Sequence, residues 1–507
     1  MLYDAPRMKR SAVIAVCALG LIGASVPPHP GPLPQGEGEG TAAAPALPPE
    51  TRAAAVRLRE QAFAGTRAAE WARGLSDRAG PRLAGSPGDR EAVAWALETL
   101  KAQGFSNVRA EKVKVPVWQR GVETGEVTAP YQQKLILTAL GGSVATPEGG
   151  LEAEILEADS FEALEARRED VRGKIVFFNK RMERTADGSG YGPAVVFRSN
   201  GPVRAGKLGA VGVLIRSVGT GDNRLPHTGG TRYAPDVPKI PAAALAGPDA
   251  DLLERLGKLG KPVRVRFTLT PRQLPEAESA NVIGEIRGRG PGGLGDRKVR
   301  RGKDPEEIVL LGAHLDSWDL GTGAVDDAAG CAIVIEAARL IGQVRARPRR
   351  TIRVVLFAAE ENSLAGATAY AEEHAAELPR HAAALEADSG SGRPVGLTWN
   401  AGPSAEPALK DIASILEPLG ADGLLSEGLG GADISRLITA GVPLFGLDQD
   451  RSRYFDYHHT ANDTFDKIEP ESLDRAVAAV AVFAYCAAEV AEPFEKIPAD
   501  KRKLPRF

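Results

Sequence analysis

Two short apolar runs in this chain stop abruptly on ionisable residues. Ile308-Val309-Leu310-Leu311 leads into His314-Leu315-Asp316, and the run 352–359 leads into Glu360-Glu361. Between them, after a Gly-rich loop, Asp326-Asp327 opens an apolar helical pattern. A strand buried on both faces reads as a continuous apolar run, and its carboxyl end is where an open parallel sheet meets its ligands. The alternation continues as strand 308–314, helix 327–342, strand 352–359, helix 363–377, strand 382–387, helix 405–418, strand 442–447 and helix 471–490. Strands alternating with helices predict an α/β fold with a doubly wound, mostly parallel sheet.

At 507 residues the chain exceeds a usual single domain, so two domains or one domain with a large insertion is expected. Residues 51–104 read as helical, with Ser86-Pro87-Gly88-Asp89 as a helix start and Gly104 as a stop. Val113, Val115 and Val117 then alternate as a strand over 108–118. From 132 the character changes. Strands are expected at 134–140, 174–178 and 263–269, a helix end running into a strand at 207–215, and an apolar stretch at 237–245. This part carries one histidine, His227, and no cluster at ligand spacing, so it reads as an inserted domain, 132–272, that supports or shapes a site built elsewhere. The α/β sheet domain is then split into 51–131 and 273–495, with 496–507 as a tail.

The first residues read as an address. Met8-Lys9-Arg10 precedes one apolar stretch, and 1–26 is expected to be a signal peptide followed by a Pro/Gly-rich disordered linker over 27–50. The chain would then work outside the cytoplasm, in the periplasm or secreted, without stable membrane association. A formal net charge of −3 gives no reason to expect nucleic acid or a membrane surface as partner, and the basic stretch 287–303 reads as a solvated loop. The cysteines Cys17, Cys331 and Cys486 form no zinc pattern. Buried free thiols are expected at 331 and 486, with a disulfide between them as the alternative.

The residues at or just after the expected strand ends are His314, Asp316, Asp326, Glu360, Glu361 and Asp388, and the last strand leads through a loop to His458-His459. Taken singly, Asp326 could cap a helix, Glu360-Glu361 could be a solvated turn and His314 a structural histidine. Together they converge on one rim. Imidazoles and carboxylates without thiolates suit Zn²⁺ or another borderline divalent ion. Two imidazoles and three carboxylates suffice for two metals that share one carboxylate. His374 and His381 flank a polar helix end and are expected at the surface.

The motifs HLDSWDLGTGAVDD (314–327), FRSNGPVRAGKLGAVGVLIRSV (197–218), PHTG (226–229), VPKIPAAAL (237–245) and YFDYHHTANDT (454–464) carry a resemblance. The chain resembles the co-catalytic zinc exopeptidases of the bacterial aminopeptidase and glutamate carboxypeptidase family, and within it the carboxypeptidase Q branch, over roughly 55–495. That resemblance implies a phosphorylase/hydrolase-like core with an inserted protease-associated domain. It implies two Zn²⁺ per chain, with Mn²⁺ or Co²⁺ also tolerated. One ion would lie on His314, Asp326 and Asp388, the other on Asp326, Glu361 and His459. Glu360 would be the general base for a metal-bridged water, and Asp316 would orient His314. His458 stands where many relatives have the tyrosine that stabilises the oxyanion. The substrate would be a dipeptide or short peptide and the assembly a homodimer. Dipeptidase or carboxypeptidase action is the reading taken, with aminopeptidase as the alternative; Asp319, Arg451 and Arg453 are candidates for holding a chain end. An aminoacylase-type hydrolase and an inactive receptor-like protein are the more distant alternatives.

Overall fold

The computed structural model describes residues 47–290, 307–345 and 347–504. The expected signal peptide, nearly all of the linker, Cys17 and most of the basic loop lie outside the described residues. Eight strands form the larger sheet: β1 (Ser106–Gln119), β2 (Arg272–Ile286), β3 (Ile308–His314), β4 (Thr351–Phe357), β5 (His381–Glu386), β6 (Pro394–Asn400), β7 (Gly423–Ser426) and β8 (Leu444–Gln449). Their order across the sheet is β1-β2-β4-β3-β5-β8-β6-β7. The central strands β4, β3, β5 and β8 run parallel. β1, β2 and β6 join antiparallel, so the sheet is mixed rather than mostly parallel. The reason is visible at β6: the connection 387–393 from β5 holds no helix, and without a crossover the chain can only return antiparallel.

Successive residues of the central strands serve two different cores. Val309, Leu311 and Ala313 of β3 pack with helices Pro49–Phe63, Ala329–Gly342 and Pro470–Glu489. Leu310 of β3, with Val355 and Phe357 of β4, packs on the opposite face with Leu364, Tyr370, Ile434 and Leu437. This is the doubly wound arrangement: period-2 alternation puts neighbours on opposite faces, and both faces are covered. Helix Pro470–Glu489 is buried without a break from Ala476 to Glu489, as a helix that is apolar all round must be. No helix among the described residues is long and apolar enough to cross a membrane.

A second eight-stranded sheet is built wholly from residues 123–269, between β1 and β2. Phe177, Leu214 and Ala243 face one of its cores, and Val176, Phe178, Val213 and Ile215 face the other. Trp318, carried by the loop after β3, belongs to the first of these cores, and its indole lies against Gly141, where a Cβ would come within 1.9 Å of the ring. Cys331 and Cys486 are free and buried.

His381 is buried rather than at the surface, and His374 is half-buried. His381 opens β5 with no exposure, its Nε2 2.9 Å from the Tyr370 hydroxyl. His374 bridges Glu111 at 3.0 Å and Glu377 at 2.9 Å, and Arg353 pairs with both Glu377 and Glu285. The polar helix end folds onto β1 and β4, which turns expected surface charges into an enclosed network. Burial opposes protonation of His374, yet Glu111 and Glu377 outweigh it and raise its pKa to about 9.

Candidate metal centre

The rim formed by the carboxyl ends of β3, β4 and β5 carries His314, Glu360-Glu361 and Asp388. Asp326 reaches the same point from the single turn Ala324–Ala328, which starts at Gly323 (φ 57°) and precedes helix Ala329–Gly342. His459 follows the short helix Tyr454–Tyr457. The Asp326 carboxylate lies between two imidazoles: Oδ1 is 3.1 Å from His314 Nε2, and Oδ2 is 3.3 Å from His459 Nε2. Each imidazole has a further carboxylate, Asp388 at 3.6 Å from His314 Nε2 and Glu361 at 3.0 Å from His459 Nε2. His458 stacks on His459 with ring centroids 3.5 Å apart, its Nε2 3.7 Å from Asp326.

Asp327 also lies within ligand distance of His314 and Asp388. Its oxygens are already engaged, accepting the amide of His314 at 3.2 Å and of Gly330 at 3.0 Å, so it ties the helix start to the strand end. Asp316 is fully buried and accepts the amides of Glu360 at 3.0 Å and Glu361 at 3.4 Å. It also lies 3.7 Å from His314 Nδ1, so one carboxylate spans the ends of β3 and β4. The Glu360 carboxylate takes no hydrogen bond among the described residues.

The electrostatics are those of too many acids for the available cations. Burial would lower the pKa of His314, but Asp316, Asp326 and Asp388 hold it well above its ordinary value. Burial would raise Asp326, but His314 and His459 hold it well below. Glu360 is pushed well above the usual carboxylate range by burial and by the neighbouring Asp388 and Glu361 charges. Burial and Asp388 carry Glu386 to about 7, and beside it Asp433 keeps both carboxylate oxygens buried without a partner. Among the described residues, no lysine or arginine forms an ion pair with Asp316, Asp326, Glu360, Glu361 or Asp388.

Several contributors have no motif of their own. Arg82 is fully buried and donates to the carbonyls of Leu315 (2.6 Å), Thr322 (2.6 Å) and Gly323 (2.8 Å), which shapes the loop between His314 and Asp326. Asp463 accepts the amides of Val325 at 2.6 Å and Asp326 at 3.2 Å; its place four residues after His459 in the stretch 454–464 is the signal available for it. Arg198, from helix Tyr191–Lys207 of the second sheet's layer, is 8 % exposed. Its Nη2 donates to the Tyr191 hydroxyl at 2.7 Å, Nη1 lies 3.4 Å from His459 Nδ1, and Nε has no partner. No carboxylate pairs with it among the described residues.

Of the three candidates for holding a chain end, Asp319 and Arg451 are occupied, while Arg453 lines the cleft beside the centre and pairs with no carboxylate among the described residues. Asp319 is clamped by both Nε and Nη2 of Arg120, at 2.8 and 2.7 Å. Arg451 donates to Ser389 Oγ and the Asp187 carbonyl, and Arg453 donates to the Tyr457 hydroxyl. A cleft of about 660 Å³ opens beside the centre, with Val325, Tyr454 and Arg393 in its wall.

Residues 298–484 match the family model described as Peptidase family M28. Mouse carboxypeptidase Q (Mus musculus) is 37% identical over 418 residues, covering 82% of this chain and 85% of its own. The crystal structure of a peptidase M28 precursor from Shewanella amazonensis is similar with a TM-score of 0.82 at 42% identity, over 89% of this chain and 99% of that one. A zinc aminopeptidase from Bacillus subtilis shares the fold, with a TM-score of 0.58 at 22% identity over 85% of this chain and 97% of that one.

Proposed function

Because the chain belongs to peptidase family M28 and is a metallo-exopeptidase, we propose that it is an exported dinuclear zinc enzyme that cleaves dipeptides and short peptides held by their free carboxylate. The observation that carries the dinuclear reading is the placement of Asp326 between His314 Nε2 and His459 Nε2, each with its own second carboxylate. The donor set fits the ions: two imidazole nitrogens and carboxylates that no lysine or arginine side chain neutralises among the described residues. His314, Asp326 and Asp388 would hold one ion, and Asp326, Glu361 and His459 the other. Bound there, the pair would supply Lewis-acid polarisation of the scissile carbonyl and acidify water at neutral pH.

The remaining work falls to side chains. Glu360, whose carboxylate takes no hydrogen bond among the described residues, takes a proton from water and passes it to the leaving amine. Asp316 fixes the Glu360-Glu361 turn against His314. The carboxyl-end preference is supported by Arg198, a buried guanidinium with one hydroxyl acceptor and no carboxylate, beside His459. An enclosed, unpaired cation is costly unless an anion joins it, and a substrate carboxylate is the anion an exopeptidase meets. We read the second sheet as the inserted protease-associated domain and expect a homodimer; export rests on the N-terminal apolar stretch.

A screen of dipeptides with either end blocked tests this. Hydrolysis of free and amino-blocked dipeptides, abolished by a chelator, is the expected result. Cleavage of carboxyl-amidated but not amino-blocked dipeptides would move the assignment to an aminopeptidase. Hydrolysis indifferent to chelators would remove the metal from it.

A further inference from the structure

The second sheet does more than lie beside the metal centre. His459 has φ 62°, a left-handed conformation that a residue with a Cβ rarely adopts and keeps only where its surroundings over-determine it. The surroundings here come from the segment 226–229 (PHTG). His227 Nδ1 lies 2.7 Å from the His458 carbonyl. The Thr228 amide donates to the His459 carbonyl at 2.9 Å, and the Thr228 carbonyl lies 3.4 Å from His459 Nδ1. Two successive carbonyls and the imidazole ring are therefore gripped from one side.

The grip is itself anchored. The His227 amide donates to Ser217 Oγ at 2.8 Å, and that hydroxyl donates to the Leu245 carbonyl at 2.7 Å. The Thr228 hydroxyl donates to the Ala139 carbonyl at 2.9 Å and accepts from Arg120 at 3.1 Å. The His227 ring lies flat on Gly219, where a Cβ would come within 2.1 Å of it, so the ring has one place to sit.

We infer that His227 is a positioning residue of the centre, which holds the left-handed His458-His459 turn so that His459 Nε2 faces Asp326 and Glu361. This rests on the metal-site reading above. His227 touches neither metal nor substrate; it acts through the carbonyl of His458. Groups that orient a ligand in this way typically change metal affinity 10–100-fold when removed.

The test is a titration of the full chain with Zn²⁺, following stoichiometry and affinity by calorimetry, on wild type and on His227→Ala, His227→Asn and His227→Gln. Asparagine places an N–H where Nδ1–H stands; glutamine places one nearer Nε2. Wild type should take up two ions. His227→Ala should bind one as wild type does and the other about 10–100-fold more weakly, and His227→Asn should recover most of that loss while His227→Gln does not. Should the alanine variant fail to fold, the asparagine and glutamine pair carries the comparison. Unchanged binding at both sites, equal weakening of both, or glutamine matching asparagine would overturn the inference. A wild-type chain that takes up no Zn²⁺ would overturn the metal reading and this inference with it, without reference to any variant.

Discussion

Replacement of Asp316 by asparagine changes one oxygen to an NH₂ group and leaves the shape intact. The carboxylate now accepts the Glu360 and Glu361 amides, at 3.0 and 3.4 Å, in a site with no solvent access. Asparagine can accept one of them. Its amide nitrogen then faces the other N–H, so a charge-assisted hydrogen bond worth about 1.5–3 kcal/mol is lost and a buried donor is left unsatisfied at about 1–3 kcal/mol. Removal of one charge from a crowded acidic cluster offsets part of this. A net loss of about 2–4 kcal/mol is expected, a large share of the roughly 5–15 kcal/mol that holds a domain folded. Denaturant unfolding of both proteins, with Zn²⁺ and with chelator, measures it. The loss should be larger with Zn²⁺, because the same carboxylate steadies His314 and aims Glu361. Equal midpoints in both conditions, with unaltered Zn²⁺ affinity, would refute the role given to Asp316.

Asp326→Ala should abolish uptake of both ions, since both imidazoles face that carboxylate; a variant that keeps one tightly bound ion by elemental analysis would make Asp326 a terminal ligand. Glu360→Gln removes a carboxylate that no protein group bonds, so folding and metal content should hold while turnover falls about 10²–10⁴-fold; near-wild-type turnover would assign the base elsewhere. The ion pairs of His374 with Glu111 and Glu377 give a pH signature. Because the folded state raises the His374 pKa to about 9, its contribution is full below the ordinary value near 6.5 and is lost as pH rises through 9. Screened by solvent, this amounts to about 1–2 kcal/mol between pH 7 and 9.5, read as the difference between wild type and His374→Gln. Parallel stability curves would contradict it.

What could be read in advance follows from how each signal arises. β3, β4 and β5 announce themselves because burial on both faces favours mainly apolar runs, and His314, Glu360-Glu361 and Asp388 stand where those runs and the sheet end. The strands Glu123–Ala129 and Leu151–Ala158 escaped, because ETGEVTA is largely polar and LEAEILEA has a helix former's composition; pairing with neighbours decides them, not local preference. β6 begins at a proline on an antiparallel strand, outside the alternation that marked the others. Arg82 and Arg198 show a different limit. An arginine that bonds to distant carbonyls, or is left without a carboxylate, looks like any other arginine until the chain brings its surroundings together. His374 and His381 misled for the same reason, since polarity alone does not separate a solvated helix end from an enclosed ion network.

Trp318 sits on the loop between His314 and Asp326 yet is packed into the core of the second sheet, with no room between its ring and Gly141. A hinge that parted the two sheets would have to extract that indole into water, at about 4–6 kcal/mol for the 150–250 Å² such a ring buries. It would also drag the loop that aims both His314 and Asp326. The ring therefore pins the second sheet to the loop that carries the ligands, so that parting the two would disturb the centre itself.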